Sequence, residues 1–256
     1  MKQRKFITQV LCLVLLAMSA AVPAQKLKSK KMNKKILFVV TSHDKLGETG
    51  ESTGYYLGEV SHPWAVLTAA DYEIDFVSPL GGNPKYYGNN PEDTVNQQFL
   101  ANEKYQKKIQ NTLTPEQVRA EDYAAILYAG GHGTMWDFPD NAALAKIAQE
   151  IYENNGIVSA VCHGPAGLVN IKLSNGKYLV DGKKINAFTN EEEAAVKLEN
   201  VVPFSLETKL IERGAKFEKS GLWQTHVAVD TRVVTGQNPQ SAHAVGEAVL
   251  TELKKL

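Results

Sequence analysis

The feature that most constrains this chain is a repeating unit: a short apolar run rich in branched side chains, followed by a stretch of helical character. Residues 35–42 (KILFVVTS), 73–78 (EIDFVS), 124–129 (AAILYA) and 156–161 (GIVSAV) are the runs. Runs of this length and apolarity suit strands hidden on both faces. Such strands need a layer above and a layer below, and the segments 55–70, 97–111, 141–154, 204–213 and 239–253 read as the helices that supply them. Strands alternating with helices specify a mostly parallel sheet covered on both sides, an α/β domain. Pro63 is expected to perturb the first helix, and Thr114 with Pro115 starts a short helical turn. Residues 184–188 read as a further strand, and 227–235 as a hairpin-like pair turning at Asp230 and Thr231. No repeat or linker divides residues 35–256, so they read as a single domain.

The first 24 residues follow a different pattern. Lys2, Arg4 and Lys5 open the chain, residues 10–24 are apolar, and the run ends in small side chains at Val22 and Ala24. This is the pattern of a signal peptide cleaved after Ala24, and the run is short of the about 20 residues a membrane span needs. The expected mature protein is exported, periplasmic or secreted, with no membrane span. An uncleaved anchor is the competing reading, and Met32 offers an alternative start for a cytosolic form. Residues 25–34 read as a basic tether.

The chain holds 28 basic and 28 acidic residues, but nine of the basic ones fall in the first 35 positions, leaving 19 against 28 in the body, a net of −9. An acidic body argues against nucleic acid as a partner. Of the two cysteines, Cys12 leaves with the leader, and the mature protein then carries one thiol, Cys162. It cannot form an internal disulfide, so in an exported protein it is either a reactive group or a buried, inert one.

The local sequence favours reactivity. In sheets of this kind, sites gather beyond the carboxyl ends of the strands. Three segments fall there: the one leading to Glu59, the turn Gly130-Gly131-His132-Gly133, and the turn Val161-Cys162-His163-Gly164. A residue between a buried strand and a helix start is held in a tight turn with its side chain presented outward, a nucleophile elbow. Amides at that helix start are expected to lower the thiol pKa below its usual value of about 8.5. The amides of Gly130 and Gly131, with that of His163, could form an oxyanion hole, roughly 3 kcal/mol per donor in other enzymes; a plain tight turn is the alternative. The glycine turn lacks both a following Lys-Ser/Thr and a dinucleotide fingerprint, which excludes nucleotide binding. Taken alone, Glu59 and Glu193 read as surface helix charges, and His163 as either a proton carrier or a cap. No H-x-x-x-H or C-x-x-C spacing gathers ligands, so no metal and no organic cofactor is expected.

Four segments in order, TGYYLGEVSHP (53–63), AGGHGTMWDFP (129–139), SAVCHGPAGL (159–168) and VVTGQNPQSAH (233–243), resemble the ThiJ/PfpI superfamily, with its class I glutamine amidotransferase-like fold. Within it they are most similar to the heat-shock chaperone and glyoxalase III branch. The resemblance runs from about Asn33 to the C-terminus. It implies a flavodoxin-like three-layer sandwich with a cysteine nucleophile elbow, and a homodimer. It implies Cys162 as nucleophile and His163 as proton carrier. A downstream acid among Glu191, Glu192 and Glu193, assigned to Glu193, would orient that histidine, and Glu59 would lie against the thiol. His62 and His132 are placed at the pocket wall, while His43, His226 and His243 are structural or exposed.

The activity implied is a cofactor-free glyoxalase acting on a small α-oxoaldehyde, taking methylglyoxal to lactate. A holdase chaperone that does not need the thiol is the rival from another class. An amidotransferase or peptidase-type hydrolase is a weaker one, because the H-x-E arrangement of amidotransferases is absent from the chain.

Overall fold

The computed structural model describes residues 34–256. The leader expected at 1–24 and the tether at 25–34, Lys34 aside, lie outside the described residues. In chain order the first half comprises β1 (Lys35–Val39), β2 (Tyr55–Tyr56), α1 (Leu57–Ala69), β3 (Glu73–Val77), β4 (Tyr86–Tyr87), α2 (Thr94–Ala101) and α3 (Glu103–Ile109). Then come β5 (Ala125–Tyr128), α4 (Thr134–Asp137), α5 (Ala142–Glu153), β6 (Ile157–Val161) and a 3₁₀ turn (Gly164–Leu168). The remainder is β7 (Lys184–Ile185), α6 (Asn190–Ala195), α7 (Leu206–Glu212), β8 (Lys216–Phe217), β9 (Val227–Asp230), β10 (Val233–Gly236) and α8 (Ala242–Leu253).

Six strands form the main sheet in the order β3-β1-β5-β6-β10-β9. All neighbours run parallel except the edge strand β9, which returns antiparallel to β10. The period of two in a strand explains why the runs are apolar throughout. Leu37, Val39, Ile126 and Tyr128 enter one core, where α5 adds Leu144, Ile147, Ala148 and Ile151. Ile36, Phe38, Ala125 and Leu127 enter the other, beneath Leu57, Val60 and Leu67 of α1 and Val245, Val249 and Leu253 of α8. Helices on both faces of a mostly parallel sheet make the three-layer α/β sandwich.

Three local expectations change in the structure. Pro63 sits inside α1 without ending it. There α8 packs so closely that a Cβ on Gly246 would lie 2.9 Å from Pro63 Cα, and tertiary packing overrides the missing hydrogen bond. The helix expected over 97–111 divides at Asn102, whose extended backbone and side chain cap α3 through the Tyr105 amide at 3.2 Å. Asparagine competes for backbone donors in this way, and a cap satisfies it better than a helix interior. The helix expected after Cys162 is only the 3₁₀ turn, wedged against β5 so tightly that a Cβ on Gly164 would lie 2.2 Å from the Tyr128 carbonyl oxygen.

The register places the site. Tyr128 of β5 is level with Ala160 of β6, so the turns that follow, at Gly130 and Cys162, emerge side by side. Among the described residues, no helix is long and apolar enough to cross a membrane.

Candidate active site

Cys162 ends β6 with a φ of 60°, in the left-handed region that costs a residue with a Cβ roughly 1 kcal/mol or more. Backbone on both sides holds it there: its N–H donates to Gly236 O at 2.8 Å and its carbonyl accepts the Phe188 N–H at 2.8 Å. The elbow is present, but the side chain is not presented outward, since the residue is only 4% exposed. Burial pushes the thiol pKa up, with the neighbouring Glu59 adding to the rise, and the His163 N–H works against it. The expected lowering is therefore corrected. A five-residue 3₁₀ turn supplies too little oriented dipole to outweigh the loss of solvent around sulfur.

Glu59 stands in the first turn of α1 and is fully buried. Its Oε2 accepts the Gly130 N–H at 2.7 Å, while Oε1 has no well-formed hydrogen-bond partner and faces the Cys162 side chain. Burial raises its pKa to about 8, so at neutral pH it is a neutral acid with a proton to give. This contact fixes the glycine turn. A Cβ on Gly130 would fall 2.6 Å from Glu59 Oε2 and 2.7 Å from His163 N. It also corrects the role expected of Gly130: its amide is spent on Glu59 and is not a free oxyanion donor. Gly131, at φ 102°, keeps its amide without a protein partner among the described residues. With the His163 amide it forms the remaining donor pair.

On the other side of sulfur, Cys162 Sγ lies 3.3 Å from His163 Nδ1. His163 Nε2 lies 2.8 Å from Glu193 Oε2, and Glu193 Oε1 lies 3.0 Å from His132 Nε2. The chain continues to Tyr87, whose Oη is 3.1 Å from His132 Nδ1 and accepts the His132 N–H at 3.2 Å. Donor accounting assigns the tautomers. Tyr87 oxygen already accepts one N–H, so its own O–H turns to His132 Nδ1, and the His132 proton sits on Nε2. Glu193 then accepts an N–H from each imidazole, and its pKa falls to about 2 despite burial. The His163 pKa falls to about 4, mainly through burial and then through His132. Its Nδ1 is left as an unprotonated base against the thiol.

The three consecutive glutamates separate cleanly. Glu191 is exposed and pairs with Lys219 at 3.3 Å. Glu192 is buried and forms a capping box with Thr189; its Oε1 also accepts from the Trp223 amide, Gln237 Nε2 and Asn238 Nδ2 at 2.8–3.0 Å. Glu193 alone reaches His163.

His132 joins the site as expected, but His62 does not: it pairs with Asp93 at 2.8 Å and stacks edge-on near His243. His43 stacks on Trp136. The sequence reading missed Tyr87, Phe188 and Trp223. Phe188 lies 4.4 Å from the His163 ring, centre to centre, and Trp223 lies 5.7 Å beyond Phe188. The tyrosine doublets 55–56 and 86–87 were a usable signal, for they pair as the two-stranded ladder β2–β4 that carries Tyr87 to the site. A cavity of about 190 Å³ abuts the same acid, lined by Phe188, Thr189, Glu193, Val202 and Leu206, and excludes the sulfur. Among the described residues, His132, His163 and Glu193 are the group whose ligand atoms lie within 4.8 Å of one another.

A buried thiol, a neutral base on one side and a neutral acid on the other can add sulfur to a carbonyl and then move protons between adjacent atoms. Comparison with known proteins agrees with that chemistry. The DJ-1/PfpI family model matches residues 52–252. A glutathione-independent glyoxalase of Saccharomyces cerevisiae is 34% identical over 235 residues, covering 86% of this chain and 98% of its own. The crystal structure of glyoxalase III from Candida albicans superposes with a TM-score of 0.79 at 30% identity, covering 85% of this chain and 96% of that one. The 24 kDa Rapid Encystment Protein of Francisella tularensis gives a TM-score of 0.83 at 41% identity, covering 86% and 98%.

Proposed function

The chain belongs to the DJ-1/PfpI family, and on that premise we propose that it is a glutathione-independent glyoxalase that converts methylglyoxal and water to lactate at Cys162. The observation that carries the proposal is the placement of the thiol between two protonation devices of opposite character: neutral His163, backed by ionised Glu193, and neutral Glu59.

The steps follow from that placement. Sγ attacks the aldehyde carbon while its proton passes to His163 Nδ1, and Glu193 offsets the charge of the imidazolium. The amides of Gly131 and His163 meet the developing oxyanion. Glu59 gives its proton to that oxygen, completing a hemithioacetal. As a carboxylate it then removes the hydrogen from the former aldehyde carbon, and His163 protonates the adjacent ketone oxygen, giving an enediol. Glu59 returns its proton to the adjacent carbon and His163 withdraws one from the sulfur-bearing side, leaving a lactoyl thioester. The Glu59 carboxylate then takes a proton from the water that attacks the thioester, and the His163 imidazolium protonates the departing sulfur, which releases lactate and restores the thiol and both residues to their starting states. Each proton moved is supplied and recovered by these two residues, so glutathione, redox cofactor and Lewis acid have no step to perform.

Export of the mature protein remains part of this reading and rests on the leader: protein recovered from outside the cytoplasm should begin near Gln25, and an intact Met1 by mass spectrometry would overturn it. Homodimerisation is likewise inferred from the family resemblance, and sedimentation would check it. The activity is tested with purified protein, methylglyoxal and no glutathione. Lactate should form, and Cys162→Ser should lose nearly all turnover, because serine lacks a base strong enough to make it a comparable nucleophile. Protein that suppresses client aggregation yet makes no lactate would replace the enzyme reading with the holdase one.

A further inference from the structure

We propose that His132, His163 and Glu193 form a binding site for one divalent transition-metal ion of the zinc type, and that its occupancy is a reversible off-state of the enzyme. The absence of any local ligand spacing in the sequence predicted no such site. The fold assembles one from three separate segments: the turn after β5, the turn after β6 and helix α6.

The argument begins with direction. Both imidazoles aim the same nitrogen, Nε2, at one carboxylate, at 2.8 and 3.0 Å, and the two rings lie 4.1 Å apart, centre to centre. Zinc ligands sit at about 2.0–2.2 Å from the ion in a tetrahedron, which puts neighbouring ligand atoms roughly 3.3 Å apart. The two nitrogen–oxygen separations lie within about half an ångström of that spacing, and all three ligand atoms lie within 4.8 Å of one another. Two nitrogens and a carboxylate make a borderline donor set suited to zinc and its first-row neighbours.

The second observation concerns the nitrogens that face away. A histidine that ligates through Nε2 carries its proton on Nδ1, and its site is strengthened when an acceptor waits there. Groups that donate to these nitrogens in the metal-free site, and that accept once they turn, stand at both: Tyr87 Oη at 3.1 Å from His132 Nδ1, and Cys162 Sγ at 3.3 Å from His163 Nδ1. Each neutral imidazole keeps its single proton, transferred through solvent from Nε2 to Nδ1. Entry is from the His132 and Glu193 edge, where the side chains are 13% and 10% exposed, against 0% for His163. The thiol lies against Nδ1 of His163, the nitrogen that faces away from the ligand atoms, and so stands outside the set.

The functional consequence rests on the glyoxalase reading. With Nε2 on the ion and Nδ1 protonated, His163 has no lone pair to receive the thiol proton, so turnover stops until the metal leaves.

The test uses chelator-treated mature protein. Calorimetric titration with zinc sulfate should give one ion per chain. Cobalt(II) should give the visible spectrum of a tetrahedral nitrogen and oxygen site, without a thiolate-to-cobalt charge-transfer band. Cys162→Ala and Tyr87→Phe, each of which removes a partner of a ligand, should bind zinc about tenfold more weakly than wild type, whereas His132→Gln and Glu193→Gln, which remove a ligand, should each bind at least a hundredfold more weakly. Far-ultraviolet circular dichroism checks that each variant is folded, and the cobalt spectrum of wild type keeps the test valid if one is not. Absence of saturable binding, binding indifferent to His132 and Glu193, or loss of binding in Cys162→Ala with a thiolate band would overturn the site. The kinetic arm is separate: zinc should abolish lactate formation and EDTA restore it. Normal zinc binding without any turnover would sink the glyoxalase reading and leave the site standing; robust turnover without zinc binding would do the reverse.

Discussion

Glu59 and Glu193 are the same residue type, both buried, on opposite sides of one sulfur atom, yet burial leaves them in opposite states. Glu59 accepts a single backbone amide, and its pKa rises to about 8. Glu193 accepts from two imidazoles, and its pKa falls to about 2. The cost of removing a carboxylate from water acts on both, and the count of N–H donors decides which effect wins. One site thereby holds a proton donor and a permanent anion without any difference in side-chain chemistry.

The most direct way to break this comparison is Glu59→Gln, which keeps an acceptor for the Gly130 amide but removes the transferable proton. Turnover should fall roughly 10²–10⁴-fold, the usual contribution of a positioned acid or base. In wild type the rate should rise with pH as His163 loses its proton near pH 4, and fall as Glu59 ionises near pH 8. A residual rate in the variant that keeps the alkaline limb would show that another group is responsible for it.

Glu193→Gln should cost less, roughly 10–100-fold, the loss of about 1.5–3 kcal/mol in hydrogen bonds to a charge. An amide cannot accept both imidazole protons, so one histidine must turn. A loss larger than that from Glu59→Gln would reverse the roles assigned here.

Stability sharpens the comparison, because the two substitutions should act with opposite sign. The folded pKa of Glu59 lies above its unfolded value, so the native state binds more protons between about pH 4.5 and 8, and stability falls as pH rises through that window. Glu59→Gln removes the penalty and should stabilise the protein at pH 7 by on the order of 3 kcal/mol, with no difference below the unfolded pKa. Glu193 is the reverse: its contribution is present above about pH 4.5 and is lost as pH falls towards 2, so Glu193→Gln should destabilise at pH 7. Urea midpoints of both variants at pH 4 and pH 8 give the check, and shifts of the same sign at pH 8 would contradict the assignment.

The smallest effect is expected from Tyr87→Phe. It removes the hydrogen bond that sets the His132 tautomer, worth about 1 kcal/mol, and should slow turnover several-fold, with the acid limb of the pH profile displaced because the Glu193 pair is disturbed. An unchanged profile would reduce Tyr87 to packing.

The scaffold and the reacting pair were legible because they are written locally. Apolar runs such as KILFVV and AILYA name buried strands, and a cysteine immediately after one names an elbow. What the sequence hid depends on which groups share a donor. Nothing near Gly130 shows that its amide belongs to Glu59, and the thiol pKa was misjudged because the dipole of a helix start is visible in GPAGL while the burial of sulfur is not. Tyr87 was lost in a loop rich in Gly, Pro and Asn, since a two-residue strand has no periodicity to detect. Among Glu191, Glu192 and Glu193 the one that reaches His163 was named through the resemblance, and only the geometry shows why the other two do not.

That helix carries a constraint on how the chain can change over evolution. On α6, consecutive positions point about 100° apart, and three successive glutamates serve solvent, scaffold and chemistry in turn. Composition at Glu191 is free to drift, but length is not. Deleting Asn190 would move Glu193 into the position that ties Trp223, Gln237 and Asn238 together and bring Ala194 to the position that faces His163, although the segment would still read as a run of three glutamates. Such a change would look harmless in any measure of sequence similarity and would spare the anchor while removing the acid beside His163.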